Sequence, residues 1–149
     1  MAYAENTSVS IEKSQADIQS TLRRYGAEDF ASGWSGDNAF VAFKLNDRLV
    51  KFVLPMPDIN SDEFQKTEQG RDRKANAAYK AWEQAGRARW RALLLVIKAK
   101  LEAIEVGVAE FEQEFLGYIA LPNGQTVYEA TQDSIEQSYA TGRTLELMP

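Results

Sequence analysis

A long stripe of apolar and small residues in the second half of the chain constrains the fold more than any other feature. These residues recur at steps of three or four: Tyr79, Trp82, Gly86, Trp90, Leu93, Ile97, Leu101, Ile104, Val108, Phe111 and Phe115. Such spacing places side chains on one face of an α-helix, so the stripe predicts a long helix with one buried face. Because the stripe is long for a globular helix, Gly107 is predicted to mark a bend or a break.

The period of the apolar pattern changes to two between Phe30 and Leu54. Alternating apolar residues occupy Val41, Phe43, Leu45, Val50, Phe52 and Leu54. The segments SGDN (35–38) and NDR (46–48) supply tight turns, and two prolines at 55 and 57 end the pattern. Alternation interrupted by turn residues predicts a three-stranded antiparallel meander with one apolar face.

Shorter sequence patterns predict the elements that precede the meander. The alternation of Val9 and Ile11 predicts a short strand over Thr7–Glu12. Ser14 with Asp17 three residues later predicts a helix N-terminus, and therefore a helix over residues 15–25 that ends before Gly26.

A capping-box pattern, Thr126 with Glu129, predicts a last helix that ends at Gly142. The whole chain, 1–149, is then predicted to be a single α+β domain. It would hold an antiparallel three- to four-stranded sheet covered by a short helix, plus a long helix, bent or broken, and a C-terminal helix. Residues 1–57 would form the helix-plus-meander part, 58–70 a polar connection, 71–142 the helical part and 143–149 a tail.

Composition excludes several chemistries. The chain has no cysteine and no histidine, which removes disulfides, thiol nucleophiles, histidine bases and the usual zinc ligands. It has no apolar run of about 18–20 residues, so no membrane span is expected, and residues 1–10 lack the pattern of a signal peptide. These observations fit a cytoplasmic protein. Any enzyme built on this chain would depend on carboxylates, lysine, tyrosine or an acquired hard metal ion, and the prediction is that no cofactor and no metal are used.

Charge is divided along the chain. Residues 71–100 hold nine Lys or Arg against two Asp or Glu, whereas residues 101–149 hold one Arg against nine Asp or Glu. The net charge of −5 disfavours a general coat for nucleic acid. The separation permits a local basic face, and attraction between two copies of the chain makes a homodimer a reasonable prediction.

Two candidate surfaces follow. Spacings of four and seven residues align five cations on one helix face: Arg73, Lys80, Arg87, Arg91 and Lys98. That row could contact a nucleic acid or another anionic partner, or it could be a solvated face whose long side chains cover the flanks of the core. Trp34, beside a glycine-containing turn, is a candidate anchor for a protein interface.

Four segments together carry a resemblance: RRYGAEDF, VKFVLPMP, RWRALLLVIKAKLEAIEVGVAEFEQEFL and LPNGQTV. With them the chain resembles, from about Leu22 to Val127, a group of small uncharacterised proteins encoded by tailed bacteriophages and prophages. The resemblance implies a gene product made inside a bacterial cell, and it supplies no catalytic residues. Small non-structural proteins of this kind commonly assist phage DNA metabolism or block a host enzyme or defence system.

The functional prediction is a non-enzymatic bacteriophage accessory protein that binds a host or phage protein. The first alternative is a nucleic-acid-binding protein of phage replication or recombination that uses the basic helix face. The second alternative is a Mg²⁺-dependent enzyme, in which Glu102 with Glu105, or Glu110 with Glu114, would supply the carboxylates.

Overall fold

The fold is α+β, as predicted, in a computed structural model that describes residues 4–148. Its elements follow in the order α1 (Ile11–Arg24), β1 (Asp29–Ser35), β2 (Asn38–Leu45), β3 (Arg48–Pro55), α2 (Asp62–Gln65), α3 (Ala75–Glu105), α4 (Phe111–Phe115), a 3₁₀ turn (Leu116–Tyr118) and α5 (Val127–Thr141). The predicted meander, long helix and C-terminal helix are all present.

The sheet is the antiparallel meander that the period of two predicts, with strand order β1-β2-β3. Asn46 and Asp47 turn the chain from β2 to β3 with φ values of 51° and 61°. Asparagine and aspartate tolerate this left-handed conformation better than other non-glycine residues. One face of β2 is buried along its whole length, at Ala39, Val41, Phe43 and Leu45.

The first helix begins earlier than the sequence pattern predicted. Ser10, rather than Ser14, is its N-cap, and the Ser10 Oγ accepts a hydrogen bond from the Lys13 N–H at 3.1 Å. The predicted strand over Thr7–Glu12 is wrong, because Ile11 already lies in the first turn of the helix. Ser14 is fully buried in the second turn. The predicted stop is confirmed, since Gly26 follows the helix with φ of 95°.

The long helix α3 runs unbroken for 31 residues and ends where the break was predicted. Gly107 has φ of 83°, and the Val108 N–H donates to the Ala103 carbonyl, which closes the last turn. Phe111 and Phe115 belong to the separate short helix α4, and both side chains are buried in the core, whereas Val108 is 80% exposed. The apolar stripe therefore belongs to two helices, and Val108 is not part of the buried face.

One hydrophobic core joins α1, the sheet, α3, α4 and the segment after it. The buried face of α3 contributes Trp90, Leu93, Leu94, Ile97 and Leu101. These residues pack with side chains from α1 and from β2 and β3. The prediction that Trp90 belongs to the core is confirmed, at 3% exposure, whereas Trp82 is only half-buried.

The polar connection and the C-terminal helix complete the fold. Residues 58–70 contain the short helix α2, whose Phe64 is buried. Helix α5 starts with the predicted capping box between Thr126 and Glu129 and ends at Gly142 in the left-handed conformation. Beyond its first turns it is largely solvent-exposed, and Tyr139 is 88% exposed.

Candidate interaction site around Trp34

The five cations predicted to form one helix face lie in three different settings. Arg73 precedes the N-cap of α3, Lys74, so it is not part of the helix. Lys80 and Lys98 are exposed on α3. Arg87 and Arg91 are partly buried, and both are engaged in contacts within the chain.

Arg87 is turned along its own helix. Its guanidinium Nε and Nη2 both donate to the Gln84 Oε1, at 3.1 and 2.7 Å. The Gln84 Nε2 in turn donates to the carbonyls of Glu5 and Thr7, at 3.1 and 2.7 Å. This chain of hydrogen bonds fixes the segment before α1 to α3.

Arg91 faces helix α1. Its Nη1 lies 3.4 Å from the Asp17 Oδ2, and the Lys13 Nζ lies 2.9 Å from the Asp17 Oδ1. Asp17 therefore accepts from both helices. The hydrogen bond from Lys13 is the largest cause that lowers the pKa of Asp17 below its usual value of 3.8, and the charge of Arg91 adds to it.

Asp17→Asn is expected to lower the melting temperature at pH 7. A carboxyl whose folded-state pKa is lowered stabilises the fold above its usual value, and that contribution disappears as the pH falls through the folded-state pKa. The difference from the wild type should therefore close below pH 3.8. Thermal melts between pH 7 and pH 2 measure it, with Asp133→Asn on the exposed side of α5 as the control. A difference that is the same at both ends of the range would contradict the role of the charge.

Two other cations join α3 to neighbouring elements, Arg89 to the end of β3 and Lys100 to α4. Arg89 donates to the carbonyl of Pro55, the last residue of β3. The Lys100 Nζ donates to the Glu114 carbonyl at 3.0 Å and lies over the rings of Phe115 and Tyr118. Four cations of residues 71–100 thus form contacts within the fold: Arg87, Arg89, Arg91 and Lys100. Lys80 and Lys98 are the exposed pair of the predicted row.

Trp34 is the most exposed tryptophan, with 82% of its surface accessible. It lies near the end of the edge strand β1 and pairs with Ala39 of β2. Its side chain is on the same face of the sheet as the buried Ala39, since paired residues of antiparallel strands share a face. Trp34 therefore extends the apolar face of the sheet beyond the core.

A groove of about 640 Å³ opens beside Trp34. It is bounded by the start of α1, the β1–β2 turn, the end of β3 and the middle of α3. Its apolar lining includes Trp34, Met56, Pro57 and Trp82. A second hollow of about 220 Å³ shares Ile11, Met56 and Trp82 with it and continues over Gly86.

The floor of the groove is fixed by the fold. The Trp82 Nε1 donates to the Pro57 carbonyl at 2.7 Å, which holds the indole against the segment after β3. Gly86 is buried, and a Cβ there would lie 3.4 Å from the Ile11 Cδ1 and 3.5 Å from the Met56 Cε. A Cβ at Gly86 would meet both atoms at ordinary van der Waals distance, so Ile11 and Met56 pack directly over this turn of α3.

Carboxylates surround this apolar lining. Glu12, Asp37, Asp58 and Glu83 line the two hollows, and Arg87 is the one cation among the lining residues within the described part of the chain. The arrangement can hold an apolar group of a partner while placing negative charge around it. Among residues 4–148, no group of three acidic residues is placed to hold a metal ion.

Sequence reasoning found Trp34 but missed the rest of the groove. The segment with Met56 and Pro57 was interpreted as the end of the meander, and Trp82 as part of the buried stripe, with stacking against bases as the alternative. Their common signal is weak: each is an apolar residue next to a strand end or on the margin of a helix stripe. No local pattern indicates that residues 11, 34, 56 and 82 meet.

Comparison with known protein families, curated proteins and solved structures gave no match. No helix in residues 4–148 has both the length and the apolar character required to cross a bilayer.

Proposed function

We propose that the chain is a non-enzymatic accessory protein of a bacteriophage or prophage, and that it binds a host or phage protein through the groove beside Trp34. The observation that carries the proposal is a tryptophan 82% exposed at the mouth of a groove lined by Met56, Pro57 and Trp82. Large aromatic side chains next to a pocket are the residues that dominate binding energy at protein interfaces. The resemblance to phage proteins supplies the setting, the cytoplasm of a bacterial cell.

A protein partner fits the groove better than a nucleic acid does. The carboxylates of Glu12, Asp37, Asp58 and Glu83 around the groove repel phosphate. Two of the five cations predicted to face a polyanion, Arg87 and Arg91, are occupied within the chain. Nucleic-acid binding through Lys80 and Lys98 is a separate hypothesis, which a gel-shift series at rising salt tests.

Site-directed photocrosslinking tests the proposal. A benzoylphenylalanine in place of Trp34 is compared with the same group in place of Tyr139, which is equally exposed but lies on α5, outside the groove. Both variants are expressed in infected bacteria and irradiated with and without nuclease treatment. We expect a discrete protein adduct from position 34 that resists nuclease and is missing from position 139.

Other outcomes would replace the proposal. An adduct that disappears on nuclease treatment would favour the nucleic-acid alternative. An adduct whose mass is that of two copies of this chain would identify the partner as a second protomer. Equal labelling from positions 34 and 139 would show that the groove has no specific partner.

A further inference from the structure

No ion pair within residues 4–148 neutralises the negative charge around the groove. Glu12 lies in the first turn of α1, Asp37 in the β1–β2 turn, Asp58 after β3 and Glu83 on α3. None of them forms an ion pair with another residue of the described chain; the six ion pairs found there involve other carboxylates. The carboxylates come from four separate segments, so the charge surrounds the groove and does not form a single acidic helix face.

Arg87, the cation among the described lining residues, forms its hydrogen bonds within the chain. Two nitrogens of the Arg87 guanidinium, Nε and Nη2, donate hydrogen bonds, and both donate to the Gln84 Oε1. The lining of the two hollows therefore contains four carboxylates and one guanidinium, and that guanidinium already forms hydrogen bonds within the chain. Burying these carboxylates under a neutral or acidic partner would cost desolvation free energy without compensation.

We infer that the partner segment carries an apolar anchor flanked by lysine or arginine. The anchor would fill the hollow between Trp34, Met56 and Trp82. The flanking cations would pair with the carboxylates around that hollow and with the one in the adjoining hollow: Glu12, Asp37, Asp58 and Glu83. The inference rests on the proposed function, and it specifies the chemistry of the partner.

Two physical effects favour lysine and arginine on either side of the apolar anchor. The aliphatic stems of lysine and arginine can cover the indole of Trp34 while their charged ends remain in water near a carboxylate. A cation over the face of an indole is also attracted by the ring. Complementary charge would mainly raise the association rate and select against acidic segments, whereas the apolar anchor would supply most of the affinity.

Selection from a random library tests the inference without knowledge of the natural partner. A displayed library of 12-residue peptides is selected on the wild-type protein after depletion on the Trp34→Ala variant. We expect the retained peptides to share an aromatic or aliphatic residue with at least two lysines or arginines around it. Their net charge should exceed that of the unselected library.

A pair of matched double variants separates local charge from the overall charge of the protein. Glu12→Gln/Asp37→Asn removes two carboxylates at the groove, and Asp133→Asn/Glu136→Gln removes two exposed carboxylates from α5. The Kd of the best selected peptide, measured by calorimetry at low and physiological salt, should rise at least threefold for the groove variant. It should not change for the α5 variant, and the salt dependence should weaken only for the groove variant.

The possible failures are distinguishable. Selected peptides that are neutral or acidic, or equal effects of the two double variants, would overturn the requirement for basic flanks and leave the groove as the binding site. A library that yields no peptide dependent on Trp34 would also overturn the inference. The proposed function is tested separately by photocrosslinking from position 34, and it falls if that position yields no specific adduct with another protein.

Discussion

Phe115→Ala is expected to lower the free energy of unfolding by about 3–5 kcal/mol, as is typical when a buried phenylalanine is truncated. Phe115 is fully buried, and its ring meets those of Phe43, Phe52 and Phe111 with centroid distances of 5.9, 6.3 and 5.2 Å. The truncation would leave a cavity between α4 and the sheet and would remove three aromatic contacts. Because domains of this size are stable by about 5–15 kcal/mol, the loss would be a large share of the total.

Equilibrium unfolding in urea, followed by tryptophan fluorescence and circular dichroism, measures this effect. Leu116→Ala is the matched control, because the neighbouring side chain is 51% exposed and its truncation should cost much less. A loss of under about 1 kcal/mol for Phe115→Ala would mean that α4 is not an essential part of the core. In that case the short helix would be a peripheral attachment of the long helix.

The parts of the fold that sequence patterns predicted are those in which local and tertiary preferences agree. In the eight-residue strand β2, every second side chain faces the helices, and these positions are apolar at Val41, Phe43 and Leu45. At the start of α5, Thr126 and Glu129 satisfy backbone donors by themselves, without help from the rest of the protein. Such signals can be recognised because their physical cause is local.

The errors occurred where a local signal had two interpretations. Ser10 and Ser14 are both good N-cap residues, and only the position of α1 against α3 decides between them. Ile11 lies beside Gly86 and Met56, so tertiary contact favours a helical turn where the alternation of Val9 and Ile11 favoured a strand. Two alternating residues are too short a pattern to outweigh such contacts.

The segment of residues 71–100, which is rich in lysine and arginine, shows a second limit of sequence patterns. Helical spacing correctly placed Arg87, Arg91 and Lys98 along one side of α3, but it could not show what faces that side. Helix α1 brings Asp17 to Arg91, and Gln84 accepts two hydrogen bonds from Arg87, so side chains that could contact a ligand are held within the fold. The groove was also beyond prediction, since its walls come from four distant segments whose contact is a product of the whole fold.

Trp34→Ala is expected to raise the Kd for the photocrosslinked partner by about 30-fold or more. That factor corresponds to about 2 kcal/mol, the loss typical of an aromatic residue that dominates an interface. The free energy of unfolding should change by less than about 0.5 kcal/mol, because a side chain that is 82% exposed contributes little to the core. Calorimetric titration and urea unfolding of the same preparations measure both quantities.

Tyr139→Ala provides the control for loss of an exposed aromatic residue, and Trp34→Phe provides the graded comparison. The tyrosine is 88% exposed on α5, so its truncation should leave both the Kd and the stability unchanged. Phenylalanine keeps an aromatic ring beside Ala39 with less area, so its Kd should fall between those of tryptophan and alanine. An unchanged Kd for Trp34→Ala would remove the groove as the binding site, whereas a large loss of stability would mean that Trp34 holds the end of β1 against the sheet.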